Sequence, residues 1–193
     1  MNETARAAIV LGMRDGISIA ATSDRRGAVP VETSEEAFAA LTRRNVDSAY
    51  RLAWAILGDT GDADDATQDA FDRAWRARMS LRDPARFDAW FGRILVNVCR
   101  ERLRQRTRSP IRQLDQTAEP AIADASQQTS NRDAISRALA CLDADHRIVI
   151  VLRYWADLPV DEIAARLRVP SGTVKSRLHS ALRSMRPRLE DAR

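Results

Sequence analysis

The stretch LPVDEIAARLRVPSGTVKSRLHSALRSM, residues 158–185, decides the fold class of this chain. Val160, Ile163, Ala164 and Leu167 recur at helical spacing and predict a short helix over 160–167. Arg168, Val169 and Pro170 then break the pattern, and Ser171 is expected to cap a longer helix over 171–186 that buries Val174, Leu178, Ala181 and Met185. Two helices joined by so short a turn make a helix-turn-helix, whose second helix reads base edges with its N-terminal residues. Opposite the buried stripe lie Ser176, His179, Ser180 and Arg183, flanked by Thr173, Lys175 and Arg177. Between Glu162 and Glu190 there are seven Lys or Arg and no acid, which suits a polyanionic partner.

Upstream the pattern remains helical. Phe38, Leu41, Val46, Tyr50, Ala53, Trp54 and Leu57 outline a helix that opens at Ser34, a plausible N-cap, and stops at Gly58. A second helix is expected from about Asp62 to Met79, and a third from Asp83-Pro84 to about Arg106, with proline at its first position. Helices are also expected over 131–141 and 144–156. No run alternates with strand period, so the prediction is an all-α protein of two small bundles. Residues 1–33 read as a flexible leader, 34–107 as the first bundle, 108–130 as a linker with Pro110, Pro120 and many polar residues, and 131–188 as the second bundle.

Charge divides into faces. Asp65, Gln68, Asp69 and Asp72 are spaced i, i+3, i+4, i+7 on the second helix, within a run from Asp59 to Asp72 that holds six aspartates and no basic residue. Dipole complementarity accounts for acids in the first turn but not for Asp69 and Asp72, so this stripe is a candidate protein-docking face. On the third helix Phe87, Phe91, Ile94 and Val98 are the expected buried set, which places Arg93, Asn97, Arg100 and Arg104 together on another face. Glu101 is the single acid between Arg93 and Arg108, and an arginine ladder of this kind suits phosphate contacts. The helical spacing of Phe87, Trp90 and Phe91 favours core packing over a strand-opening role, and Trp75 and Trp155 read the same way.

Composition narrows the function classes. The 193 residues are 45% hydrophobic and 30% charged, with net charge +4, which describes a soluble globular chain. Cys99 and Cys141 lie far apart with no metal-ligand spacing, and are expected to be buried thiols in a reducing cytoplasm. No signal peptide or membrane-spanning run is present, so the chain reads as cytoplasmic. His146 and His179 are isolated, and no nucleophile-base pair, phosphate loop or metal cluster appears. The expectation is no enzyme, no catalytic residue, no metal and no cofactor.

These stretches resemble the sigma-70 family, specifically the extracytoplasmic-function group of alternative RNA polymerase sigma factors, which keeps the region 2 and region 4 domains. GDADDATQDAFDRAW (61–75) is similar to the segment that docks on the polymerase clamp, and FDAWFGRILVNVCRERLRQR (87–106) to the one that reads and opens the minus-10 element. LPVDEIAARLRVPSGTVKSRL (158–178) resembles the minus-35 reader. The resemblance implies polymerase contact at Asp65, Gln68, Asp69 and Asp72 and minus-10 contact at Arg93, Asn97, Arg100 and Arg104. A flipped base would be held by the loop from Met79 to Arg86. It implies minus-35 contact at Thr173, Lys175, Ser176, Arg177, His179, Ser180 and Arg183. Core RNA polymerase, promoter DNA and an anti-sigma factor are the partners it implies. Two positions depart from the family pattern: Arg168 stands where the turn often has glycine, and Ser180 where many relatives have arginine. The alternative is a helix-turn-helix regulator that binds duplex DNA without being a polymerase subunit. A sensor or receiver domain before the motif would mark it, and the first bundle shows no such pattern of strands and helices.

Overall fold

The computed structural model describes residues 35–108 and 127–190, and among these all regular structure is helical. Seven α-helices run in the order α1 Glu35–Leu57, α2 Thr60–Ala77, α3 Phe87–Arg108, α4 Gln127–Ala140, α5 Ala144–Ile150, α6 Val160–Leu167 and α7 Ser171–Glu190. Two 3-10 turns, Arg78–Ser80 and Pro84–Arg86, link α2 to α3, and a π-helical turn, Val151–Trp155, extends α5. The leader, Ser34 included, and most of the linker fall outside the described residues. Helix α4 begins at Gln127, inside the stretch whose polar composition reads as linker, because Gln, Ser and Asn tolerate a first helical turn that propensity alone does not demand.

In the first bundle the buried face of α2 is made of Ala63, Ala66, Ala70 and Ala74, all without solvent exposure. Such small side chains let α1 and α3 approach the α2 backbone closely. Aromatic rings fill the wider end: Phe38 meets Trp75 edge-on at 5.3 Å, and Phe71 stacks on Phe91 at 4.4 Å. Phe87 and Phe91 are buried and Trp90 is partly so, its indole N–H donating to Ser80 Oγ at 3.2 Å. Helix α1 departs from its expected stripe. Phe38, Ala53 and Leu57 are buried as expected, but Val46 and Trp54 point outward and Ala49, Leu52 and Ile56 complete the core face in their place, because Arg43, Arg44 and Asp47 must share the solvent side. The chain leaves α1 through Gly58 at φ +70°, where the Gly58 amide donates to Trp54 O at 2.7 Å.

Helix starts follow the capping logic. Asp59 Oδ1 accepts from the Asp62 amide at 2.7 Å, Asp83 Oδ1 from the Ala85 amide at 3.0 Å, and Asp143 Oδ1 from the His146 amide at 2.9 Å. In the second bundle α7 packs across α4, α5 and α6, burying Val174, Leu178, Ala181 and Met185 as its spacing predicts. Ser171 differs from expectation: it is the first residue inside α7, and its hydroxyl donates to Asp161 Oδ1 at 2.6 Å, tying the start of α7 to the first turn of α6. The two bundles also touch. Helix α3 packs against α5 and α6, and α1 against the π-helical turn, so one apolar cluster runs through both.

Candidate nucleic-acid interface

The turn between α6 and α7 closes without glycine. Arg168 adopts left-handed backbone angles, φ 55° and ψ 46°, and its amide bonds back to Ala164 O. A residue with a Cβ carries a strain of about 1 kcal/mol or more there, which the packing of α6 on α7 sustains. Pro170 O then accepts from the Thr173 and Val174 amides at 2.9 and 3.3 Å, and α7 begins. Lys175, Ser176, His179 and Arg183 are exposed on the outer face of α7, with Thr173 and Ser180 half-buried beside them. Ser176 Oγ donates to Thr173 O at 3.0 Å, which holds it against the helix. Arg177 is the exception on this face: it turns toward α5 of its own bundle, its Nη2 3.2 Å from Asp145 Oδ2.

The basic stripe of α3 is less open. Arg93 is half-buried and has no hydrogen bond or ion pair among the described residues, while Asn97 is exposed and accepts from Arg100 Nη1 at 3.0 Å. Arg100 keeps only 17% of its side-chain exposure; its Nε lies 2.9 Å from Asp145 Oδ1, out of hydrogen-bond alignment, so the attraction is Coulombic. Arg104 Nη2 lies 3.2 Å from Asp145 Oδ2. Asp145, in the first turn of α5, therefore gathers three of the predicted DNA-contacting arginines. Sequence reading missed it because an acid there looks like ordinary dipole complementarity.

The acidic face of α2 is partly engaged within its own bundle. Gln68 and Asp72 are exposed, and Asp65 is two-thirds exposed with Arg102 Nη1 3.4 Å away. Asp69 is clamped by Arg73 through two 3.0 Å hydrogen bonds, and Arg73 also reaches Glu101 at 2.8 Å. These acids hold the Arg73 guanidinium above its ordinary value, the Asp69 hydrogen bonds outweighing its partial burial. Arg106 pairs with Asp62 and donates to Leu57 O at 2.9 Å, closing the C-terminus of α1. Neither Arg73 nor Arg106 was singled out by spacing.

The loop from Met79 to Arg86 presents Met79 almost fully to solvent at 77%, while the Arg78 guanidinium lies 3.9 Å over the Trp75 ring. The two thiols divide. Burial pushes Cys99 up to about 12, whereas Cys141, in the turn just past the end of α4, is exposed, contrary to expectation. Among the described residues no group of His, Cys, Asp or Glu is arranged to hold a metal ion. No helix among them is long and apolar enough to cross a membrane.

A first bundle with an acidic face and an arginine-lined helix, followed by a helix-turn-helix with an open basic face, defines a two-domain DNA-binding protein of transcription. Residues 41–109 match the Sigma-70 region 2 family and residues 138–187 match Sigma-70, region 4. The RNA polymerase sigma-E factor of Streptomyces coelicolor is 32% identical over 152 residues, covering 79% of this chain and 85% of that protein. The ECF RNA polymerase sigma factor SigL of Mycobacterium tuberculosis is 36% identical over 146 residues, covering 74% and 82%. The fold is also that of the sigma factor RpoE of Bartonella quintana, co-crystallised with the anti-sigma factor NepR, with TM-score 0.60 and 24% identity over 82% of this chain and 99% of that one. The chain belongs to the sigma-70 family and, within it, to the extracytoplasmic-function group of alternative sigma factors.

Proposed function

We propose that the work of this sigma factor is divided between its two bundles by charge. The α2 face of Asp65, Gln68, Asp69 and Asp72 docks on core RNA polymerase. The α3 stripe of Arg93, Asn97, Arg100 and Arg104 takes the minus-10 strand, and the loop from Met79 to Arg86 takes a flipped base. The α7 face of Thr173, Lys175, Ser176, Arg177, His179, Ser180 and Arg183 takes the minus-35 duplex, with 34–107 and 131–188 as the two functional domains. The observation that carries this reading is the outer face of α7, where Lys175, Ser176 and His179 are exposed in the N-terminal half of a recognition helix and Arg183 is exposed one turn further on.

The chain catalyses nothing itself. Binding energy gained from unstacked bases and phosphates offsets the cost of opening the promoter. It acts in the cytoplasm, and an anti-sigma protein that covers the same polymerase and DNA faces is its natural inhibitor. Reconstitution with core polymerase tests the reading. Initiation at sites sharing an upstream motif is expected, and the absence of promoter-dependent transcripts on every genomic template would refute it. Asp65→Ala with Asp69→Ala should weaken polymerase binding and leave binding of the isolated chain to minus-35 duplex unchanged.

A further inference from the structure

Three guanidinium groups from two bundles converge on one carboxylate. Asp145 Oδ1 faces Arg100 Nε at 2.9 Å, and Oδ2 faces Arg104 Nη2 and Arg177 Nη2, each at 3.2 Å. Stabilising the dipole of α5 requires none of these partners. A ring of guanidinium groups around two oxygen atoms is what arginine offers a phosphate.

The contact between the bundles is fitted on both sides of that cluster. A Cβ on Gly92 of α3 would stand 2.8 Å from Arg166 Nη1 of α6, and a Cβ on Gly58 would stand 2.7 Å from Arg147 Nη2 of α5. Each glycine thus makes room for an arginine of the other bundle. Arg147 and Arg166 each bury an Nε with no acceptor, so these two contacts supply shape rather than hydrogen bonds. The attraction between oppositely charged groups across the interface comes from Asp145 against Arg100 and Arg104.

We propose that Asp145 is an internal stand-in for promoter phosphate: it holds the two bundles closed in the free chain and occupies arginines that DNA must take over. The identity of the competitor rests on the proposed function, whereas closure is a property of the free chain measured without DNA. Spin labels on the exposed native Cys141 and on an Arg43→Cys substitution in α1 report the separation of the bundles, Cys99 being buried. The parent chain at low salt should give one short, narrow distance, and high salt should broaden it. Asp145→Ala should raise the open population about tenfold, the scale of a small network of partly exposed ion pairs. Gly92→Val should open the chain from the other side with Asp145 intact, by displacing Arg166.

A parent chain that is already broad at low salt, or an Asp145→Ala distance unchanged from the parent, overturns the latch. Fork-junction DNA carrying a single-stranded minus-10 strand should open the parent chain and bind Asp145→Ala more tightly. If Asp145→Ala opens the chain yet binds this DNA no better, the phosphate role is overturned while closure stands. Loss of promoter-dependent initiation by the parent with core polymerase would instead refute the proposed function.

Discussion

Two basic helix faces meet different surroundings in this molecule. The α7 face stands open, apart from Arg177. The α3 stripe, apart from Arg93, is engaged, with Asn97 bonded to Arg100 and both Arg100 and Arg104 drawn to Asp145. Charge alone therefore does not tell which surface is ready to bind. The availability of an arginine depends on whether an acid of the same chain reaches it first, and here an acid of the second bundle screens the first.

The comparison breaks most visibly if the open face loses its support. Ile163 is fully buried beneath α7, and Ile163→Ala should cost about 2–5 kcal/mol in chemical unfolding. A loss below 1 kcal/mol would mean that α6 does not hold the recognition helix. Removing the open charges is a smaller change. Lys175→Ala with Arg183→Ala should weaken minus-35 duplex binding roughly tenfold and lower the salt slope by about two, as two lost phosphate contacts require. Polymerase binding should be unaffected, and equal losses in both assays would sink the division of labour.

The helix that carries Asp145 offers a finer probe. Burial raises the Asp143 carboxyl, but the His146 amide and ring, the latter at 2.5 Å, outweigh it and hold the group below its ordinary value. A carboxyl depressed in the folded state contributes stability that is complete above its unfolded pKa and lost as pH falls through the folded one. Asp143→Ala should therefore cost about 1 kcal/mol near neutrality and progressively less in acid, read from melting curves across pH. Smallest in energy is the thiol contrast. One cysteine, Cys141, should react with a thiol reagent in the native protein and two in denaturant, since Cys99 is buried with its pKa at about 12. Fast native reaction at both would contradict the core of the first bundle.

Much of this fold is legible in local spacing. The buried set of α7, the cap at Asp83 and the turn at Arg168 each depend on residues within a few positions of one another. Long α1 is harder: Val46 and Trp54 fit a helical stripe as well as Ala49 and Ile56 do, and only the packing of α2 and α3 decides which side is covered. The candidate site divides in the same way. The α7 face follows from periodicity, but the Arg104–Asp145 and Arg177–Asp145 contacts join residues 41 and 32 positions apart, with no repeating signal between them. Cys141 runs against the usual burial of thiols, since it stands in the turn just past the end of α4, and its place there depends on where that helix stops.

Arg147 gives the meeting of the bundles an uneven character. Its guanidinium is enclosed beside Gly58, and burial, aided by the charge of Arg106, lowers its pKa to about 10. Whatever draws the bundles apart returns that cation to water, so separation recovers hydration as it gives up apolar contact. The seam is thus built to part along its charged edge, much as a perforated sheet tears where it was weakened.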